Sequence, residues 1–339
     1  MSEPTDPDRF GPSEYLCHAV LRRTNRVSPF DVSRTRFLVL SALANRRLLD
    51  SHDIDVSLPR YWYLFGEVVD EHALDRGFFH APRARHWPGQ RYVPAEIPGP
   101  SFAVDPDERE AIDAAVAWTV DRLGARSTAS LLAHQHREYA PNPFVREAFS
   151  LRTFLAETDL DYQHTLGDFS PDEPTTRERI VARLDRLRET YPEEYGELEP
   201  LYVRWDRVVR QLLAGQPDFA GVRGAFESFH ETLAKVELRL HHRANVPAER
   251  VEEWEDERTG VKAAFRERLD RQFARVSRAD LAAAGSLGDG AGDPFDADLA
   301  TWYADRDGPS ESVDGEDGRS DVTDGNEVAS TADAEGERR

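Results

Sequence analysis

The sequence predicts a mainly α fold, in which an N-terminal helical domain with a small β element is followed by an antiparallel helical bundle or a long helical hairpin. Apolar residues recur at helical spacing along most of the chain, and short breaks between the later helices favour antiparallel neighbours. The 339 residues are 39% hydrophobic and 32% charged, enough for two modest domains. We expect disorder over residues 1–11, domains over residues 12–150 and 151–284, and a disordered acidic tail over residues 285–339.

The composition of the chain excludes several classes of protein. Acidic residues outnumber basic ones by 64 to 43, and residues 301–339 hold 12 acidic and four basic residues. This Arg-rich, Lys-poor and acid-rich composition resembles that of proteins from salt-loving archaea, so we interpret the acidity as solvation of the surface. Cys17 is the single cysteine, which excludes an intrachain disulfide and a thiolate zinc site. The sequence has neither an apolar stretch of membrane-spanning length nor a basic leader, so we expect a cytoplasmic protein.

Helices and irregular segments alternate in the first domain. A short helix follows Ser13, and a stronger one, capped by Asp31, runs to Leu49. The aromatic segment Leu58–Val69 is too apolar for the surface, so we expect a core element that ends near Gly66.

The rest of the first domain begins with a stretch that cannot be helical. Prolines and glycines between residues 77 and 100 forbid a long helix and leave room for a short hairpin or wing around residues 90–93. Helix then resumes, with a stop at Gly124 and a new cap at Ser127.

The second domain has an almost wholly helical pattern. Breaks near Pro192, at residues 215–217 and at residues 245–247 leave three to four long helices. After Gln216, apolar residues alternate spacings of four and three, which is typical of a seam against a partner helix. The seam residues are Val222, Phe226, Phe229, Leu233, Val236 and Leu240.

The first domain also resembles a known family. The segment Tyr61-Trp62-Tyr63-Leu64-Phe65-Gly66 and the later helix that reads Ser-Thr-Ala-Ser-Leu-Leu-Ala up to His134 are similar to the Panacea domain, the SocA-like antitoxin domain. Here Glu67 stands where the family has Pro after the Gly, Ala133 replaces a Thr, and His136 competes with His134 for the matching position. The resemblance covers residues 30–147 and implies a mostly helical, non-enzymatic domain that binds and neutralises a toxin protein.

No motif in the chain dictates a reaction. Glu227 and His230 have the Glu-x-x-His spacing of helical di-iron sites, but both lie one residue off the apolar seam, so we expect them to face solvent. His241 and His242 are interpreted as residues near a helix C-terminus, where cationic groups interact with the last carbonyls. Nucleotide-binding and zinc-protease motifs are absent from the sequence. We therefore predict no enzyme activity, no catalytic residues, no cofactor and no metal.

One window contrasts with the acidic background. Residues 76–95 contain no acid but several arginines and aromatics, which fit an acidic protein surface or a nucleic acid; pairing with the acidic second half of the chain is the structural alternative. Salt weakens phosphate-driven binding steeply, which favours a protein partner. We expect Trp87 to be the buried anchor of that contact, with arginines at its edge. The candidate partner-binding residues are Arg76, Arg83, Arg85, Trp87, Arg91, Tyr92, Tyr61, Trp62, Gly66 and His134.

The alternative function is a winged-helix-like DNA-binding regulator. Such a protein would place a recognition helix in the DNA and use the segment over residues 77–100 as its wing. The basic stretch over residues 17–49, which has seven arginines and one acid, would fit that function equally well.

Overall fold

The computed structural model describes residues 10–27, 32–80, 91–96, 102–158, 174–214 and 217–285. The predicted mainly α class is confirmed, with small sheets beside the helices. The helices are α1 Pro12–Val27, α2 Arg34–His52, α3 Pro106–Leu123, α4 Thr128–Tyr139, α5 Pro143–Glu157, α6 Thr176–Glu189, α7 Glu199–Leu212, α8 Phe219–Leu233, α9 Arg239–His241 and α10 Ala248–Gly285. The strands are β1 Val32–Ser33, β2 Arg60–Tyr63, β3 Gly66–Val69, β4 Phe79–His80, β5 Arg91–Pro94 and β6 Arg243–Ala244. Short 3₁₀ turns cover Arg76–Phe78 and Glu193–Tyr195, and a π-helix covers Ala234–Leu238.

Polar side chains fix where the helices begin. Ser33, Ser127 and Asn142 each accept a hydrogen bond from a backbone amide in the first turn of α2, α4 and α5. Thr175 and Glu178 form a reciprocal capping box at the start of α6. The helix predicted to follow Asp31 instead begins at Arg34, because Val32 and Ser33 are taken up by β1.

Two antiparallel sheets flank the helices. β1, β5 and β4 form one sheet in that order, with Val32 opposite Tyr92 and His80 opposite Val93. β3, β2 and β6 form the other, in which Arg60 of β2 lies opposite Ala244 of β6. The predicted core element is therefore the β2–β3 hairpin, and β6 joins it from far along the chain.

The apolar residues form two clusters. The first comprises α1, α2, α3, part of α4 and the β1–β5–β4 sheet. It begins at Phe10, which is buried and pairs with Phe102, so this residue of the stretch predicted to be disordered belongs to the core. The second cluster comprises α5 to α8, the π-helix, α10 and Trp62.

The predicted seam of the second half is buried over its whole length. Within it, the ring of Phe229 stacks on Trp205 of α7 at 4.4 Å, and Phe265 of α10 lies 6.3 Å from Phe229. Four hydrophobic residues of α5, from Phe144 to Leu151, pack in this cluster, so residue 150 falls inside a continuous helix. The hairpin contributes to both clusters, because Tyr61 packs against the first and Trp62 lies in the second.

Candidate functional site

The β2–β3 hairpin places the aromatic segment that the family resemblance singled out. Its turn is Leu64–Phe65, and Gly66 has a φ of +97°, a conformation that residues with a side chain rarely adopt. A Cβ atom at Gly66 would also lie 2.1 Å from Oε1 of Gln135 on α4. The turn therefore requires glycine at this position, and a side chain there would displace the Gln135 amide from α4's contact with the hairpin.

The segment of α4 that meets Gly66 contains Gln135 and His136. The Gln135 amide donates to the backbone oxygen of Glu67 at 2.8 Å, and a Cβ at Gly66 would lie 3.2 Å from Cε1 of His136. His134 is half-buried on α4, beside Arg137. Of the two histidines that compete for the family position, His136 is the one in contact with the hairpin.

His136 is enclosed by aromatic rings. It stacks on Phe149 at 3.9 Å and meets the edge of Trp62 at 5.3 Å, while its Nδ1 lies 2.9 Å from the oxygen of Leu132. Burial lowers the pKa of His136 to about 4. His230, expected to face solvent, is buried against Phe226, and burial lowers its pKa to about 3. Both histidines are therefore neutral near pH 7.

Glu67 anchors the hairpin to the first cluster. Its buried carboxylate accepts two hydrogen bonds of 2.8 Å from Arg46 on α2 and one of 3.2 Å from Arg60 on β2. Glu67 therefore ties β3 to α2 through a buried ion pair. Elsewhere, Arg23 pairs with Asp121 and Arg34 with Glu71, so these arginines of the first half find their acids within that half.

The tip of the hairpin combines an exposed aromatic ring with an arginine. The side chain of Phe65 is 38% exposed, and the Arg152 guanidinium lies 5.2 Å from the centre of its ring. Arg152 also donates from Nη1 to the oxygen of Leu64 at 2.9 Å. Arg152 thus fixes the position of the turn, and the exposed ring of Phe65 would lose little conformational entropy on binding a partner.

The other predicted contact residues are distributed differently. Tyr92 is buried, stacks on both Phe37 and Phe79, and donates to Glu71 at 2.7 Å. Trp62 is buried in the second cluster, so both aromatic side chains pack in the core. Tyr61 is half-buried against Trp254 at 4.8 Å.

The acid-free window lies partly outside the described residues. Arg76 begins a 3₁₀ turn and Arg91 begins β5, and only their backbones belong to the described part of the chain. Arg83, Arg85 and Trp87 lie outside the described residues. Residues 81–90 connect β4 to β5, so this sequence joins the two neighbouring strands of the first sheet.

A separate group of polar side chains lies at the π-helix. Its members are Glu237, His241, Arg258, Tyr195 and His242. The carboxylate of Glu237 is completely buried, 3.1 Å from Nε2 of His241 and 3.8 Å from Nη2 of Arg258. Burial raises the pKa of Glu237 to about 7, against the opposing effect of Arg258. Next to it, the Tyr195 hydroxyl and Nε2 of His242 are 2.5 Å apart.

The side chains around Glu237 lie next to a depression in the surface. The depression has a volume of about 610 Å³ and is lined by Glu194, Glu197, His241 and Arg258 among others. Sequence reasoning treated His241 and His242 only as residues of a helix end. The sequence does contain a pattern that indicates this pair. Glu237 precedes His241 by four residues, a spacing that places both on one helix face.

Neither of these sites gives a direct chemical assignment. Within the described ranges, no group of three or more His, Cys, Asp or Glu side chains could hold a metal ion. No helix in that part of the chain is long and apolar enough to span a membrane. Comparisons with family models, with curated proteins and with solved structures found no match to this chain.

Proposed function

We propose that this protein is a non-enzymatic, antitoxin-like interaction module that neutralises a partner protein and contacts it with the tip of the β2–β3 hairpin. The observation that carries the proposal is the exposed ring of Phe65 beside the Arg152 guanidinium. Aromatic and arginine side chains contribute most of the binding energy in protein interfaces.

The contacts that fix the β2–β3 hairpin to α2 and α4 favour binding of a partner. The ion pairs of Glu67 with Arg46 and Arg60, and the contact of Gly66 with Gln135, hold the hairpin before a partner arrives. A preorganised contact loses little conformational entropy on binding, so more of the contact energy is available for affinity. The acid-free sequence of residues 76–95 is the second proposed surface, and its arginines suit an acidic partner.

The test is the affinity of the purified chain for the protein encoded by the neighbouring reading frame, measured by titration calorimetry. Truncating Phe65 to Ala removes the exposed ring, so the Kd is expected to rise at least about tenfold, or about 1.4 kcal/mol. Val27→Ala is the matched control, because Val27 is 50% exposed at the end of α1.

The control variant is expected to bind as the wild type does. Binding that Phe65→Ala leaves unchanged would contradict the role of the hairpin tip. A chain that neither binds the neighbouring product nor relieves its toxicity on co-expression would contradict the antitoxin-like function.

A DNA-binding regulator is the second candidate, favoured by the β1–β5–β4 sheet. Residues 81–90, which include Arg83 and Arg85, join the neighbouring strands β4 and β5 in sequence, and a winged-helix protein would use such a connection as its wing. Against it, every residue of α2 from Phe37 to Asn45 is buried, so the middle of this helix offers no face to a DNA groove. Binding to the upstream DNA at two salt concentrations tests this function, since each phosphate contact steepens the salt dependence by about one unit.

A further inference from the structure

The outer face of α7 carries an acid, an apolar residue and a base at equal intervals. Glu199, Val203 and Arg207 are all exposed, and a spacing of four residues places them on one face of the helix. The side chain of Val203 is 55% exposed, the largest value among the exposed large hydrophobic residues of the described chain. This face therefore leaves apolar area uncovered between two opposite charges.

The two charges on this face have no ion-pair partner among the residues that the structure describes. Within the described ranges, neither Glu199 nor Arg207 has an ion-pair partner within 4.0 Å. The neighbouring arginines do, because Arg204 pairs with Asp270 and Arg210 pairs with Asp185 and Asp206. Within the described part of the chain, the α7 face thus has one carboxylate and one guanidinium without an ion pair, on either side of Val203.

A groove of about 800 Å³ runs along this face, between α7 and the end of α6. The rings of Tyr191 and Tyr202 stack at 4.5 Å in its wall. Three residues of the wall each have a buried oxygen without a hydrogen-bond partner in the part of the chain that the structure describes. These atoms are Oη of Tyr202, Oδ1 of Asp206 and Oε1 of Gln211. The groove therefore has room for an occupant, and these oxygens lie buried in residues of its wall.

We propose that this face binds a second copy of the chain, with the two α7 helices antiparallel about a two-fold axis at Val203. A rise of 1.5 Å per residue puts Glu199 and Arg207 about 6 Å on either side of Val203. A two-fold axis exchanges the two ends, so Glu199 meets Arg207 of the partner subunit and Arg207 meets Glu199 of the partner subunit. Two ion pairs then flank a contact between the two copies of Val203.

The local charge of the face favours a second copy over a strongly charged partner. The charges that line the groove cancel in number. Three are basic and three are acidic, namely Arg188, Arg207 and Arg210 with Glu193, Glu199 and Asp206. The whole chain has a net charge of -21, which opposes the approach of two copies at most other surfaces. The α7 face is a neutral patch where self-association avoids that repulsion.

The decisive experiment uses two charge reversals, Glu199→Arg and Arg207→Glu, with dimerisation measured by sedimentation velocity on the full chain. At about 1 M salt the Debye length is about 3 Å, so distant repulsion is screened and charges in contact still count. Each single variant places like charges in both symmetric pairs, and its dimer Kd is expected to rise at least about tenfold. A mixture of the two variants restores opposite charges at both pairs, so a heterodimer is expected to form.

Val203→Asp is the second test, with Val27→Asp as its control on another exposed apolar residue. The first is expected to abolish the dimer and the second to leave it intact, while circular dichroism checks that both variants keep their helix content. A wild type that stays monomeric at concentrations on the order of 100 µM would overturn the proposal. A dimer unaffected by Val203→Asp, or mixed charge variants that stay monomeric, would overturn it equally.

Discussion

Buried hydroxyl groups illustrate how single residues affect stability here. The Thr24 hydroxyl is buried in α1 and donates to the oxygen of Val20 at 2.7 Å. The Thr119 hydroxyl is buried in α3 and has no hydrogen-bond partner within the residues described. A buried polar group without a partner keeps its desolvation cost, about 1–3 kcal/mol. Two threonines in similar helices therefore have opposite expected contributions.

Thr119→Val is expected to raise the free energy of unfolding by about 1 kcal/mol. Valine has nearly the shape of threonine, so the substitution removes the unpaired hydroxyl without leaving a cavity. The measurement is the midpoint and slope of urea unfolding.

Thr24→Val is the control, because it removes a hydroxyl that is hydrogen-bonded. It is expected to leave the free energy of unfolding unchanged or to lower it by up to about 1 kcal/mol. If Thr119→Val lowers stability as much as Thr24→Val does, the Thr119 hydroxyl is paired in solution.

At the scale of elements, the β2–β3 hairpin is the piece that the rest of the chain holds in place. β6 pairs with β2, the Trp62 amide donates to the oxygen of His242 at 2.9 Å, and Glu67 ties β3 to Arg46 of α2. Because the hairpin is anchored on several sides, its turn has no room to adapt.

Gly66→Ala is therefore expected to lower the free energy of unfolding by at least about 2 kcal/mol. The alanine would be strained at a φ of +97°, and its Cβ would overlap Gln135. Thermal or urea unfolding measures the change.

Gly260→Ala is the matched control in the middle of α10. A Cβ at Gly260 meets nothing within 4 Å, so alanine is expected to stabilise the helix by about 0.5–1 kcal/mol. The hairpin explanation is wrong if the two substitutions have effects of the same sign.

At the scale of the whole molecule, the spacing of apolar residues predicted the helices and their buried faces, but not the contacts between distant parts of the chain. The seam from Val222 to Leu240 is buried as its spacing indicates, because helix periodicity depends only on near neighbours in sequence. The pairing of β6 with β2 joins residues far apart in the chain, and no local pattern contains it. Aromatic character alone also could not separate buried Tyr92 and Trp62 from exposed Phe65, since all three belong to apolar segments.

The buried histidines make the stability of the whole molecule depend on pH. The pKa of His136 is lowered to about 4 and that of His230 to about 3, whereas an exposed histidine has a pKa near 6.5. Below about pH 6.5 the unfolded chain binds these protons and the folded chain does not, so stability falls as the pH falls towards 4. Glu237 acts in the opposite direction, because its raised pKa of about 7 lets the folded chain take up one proton between pH 7 and about 4.5.

Two histidines outweigh one glutamate, so the wild type is expected to lose stability between pH 6.5 and 4.5. His230→Gln removes one of the buried titrating groups, and its loss of stability over this interval should be shallower by up to about 1.4 kcal/mol per pH unit. The measurement is urea unfolding at several pH values. His52→Gln is the control, because His52 is exposed at the end of α2 and its replacement should leave the slope unchanged. The free energy of unfolding of His230→Gln could instead depend on pH as that of the wild type does. His230 would then reach solvent and take up its proton while the second apolar cluster stays folded.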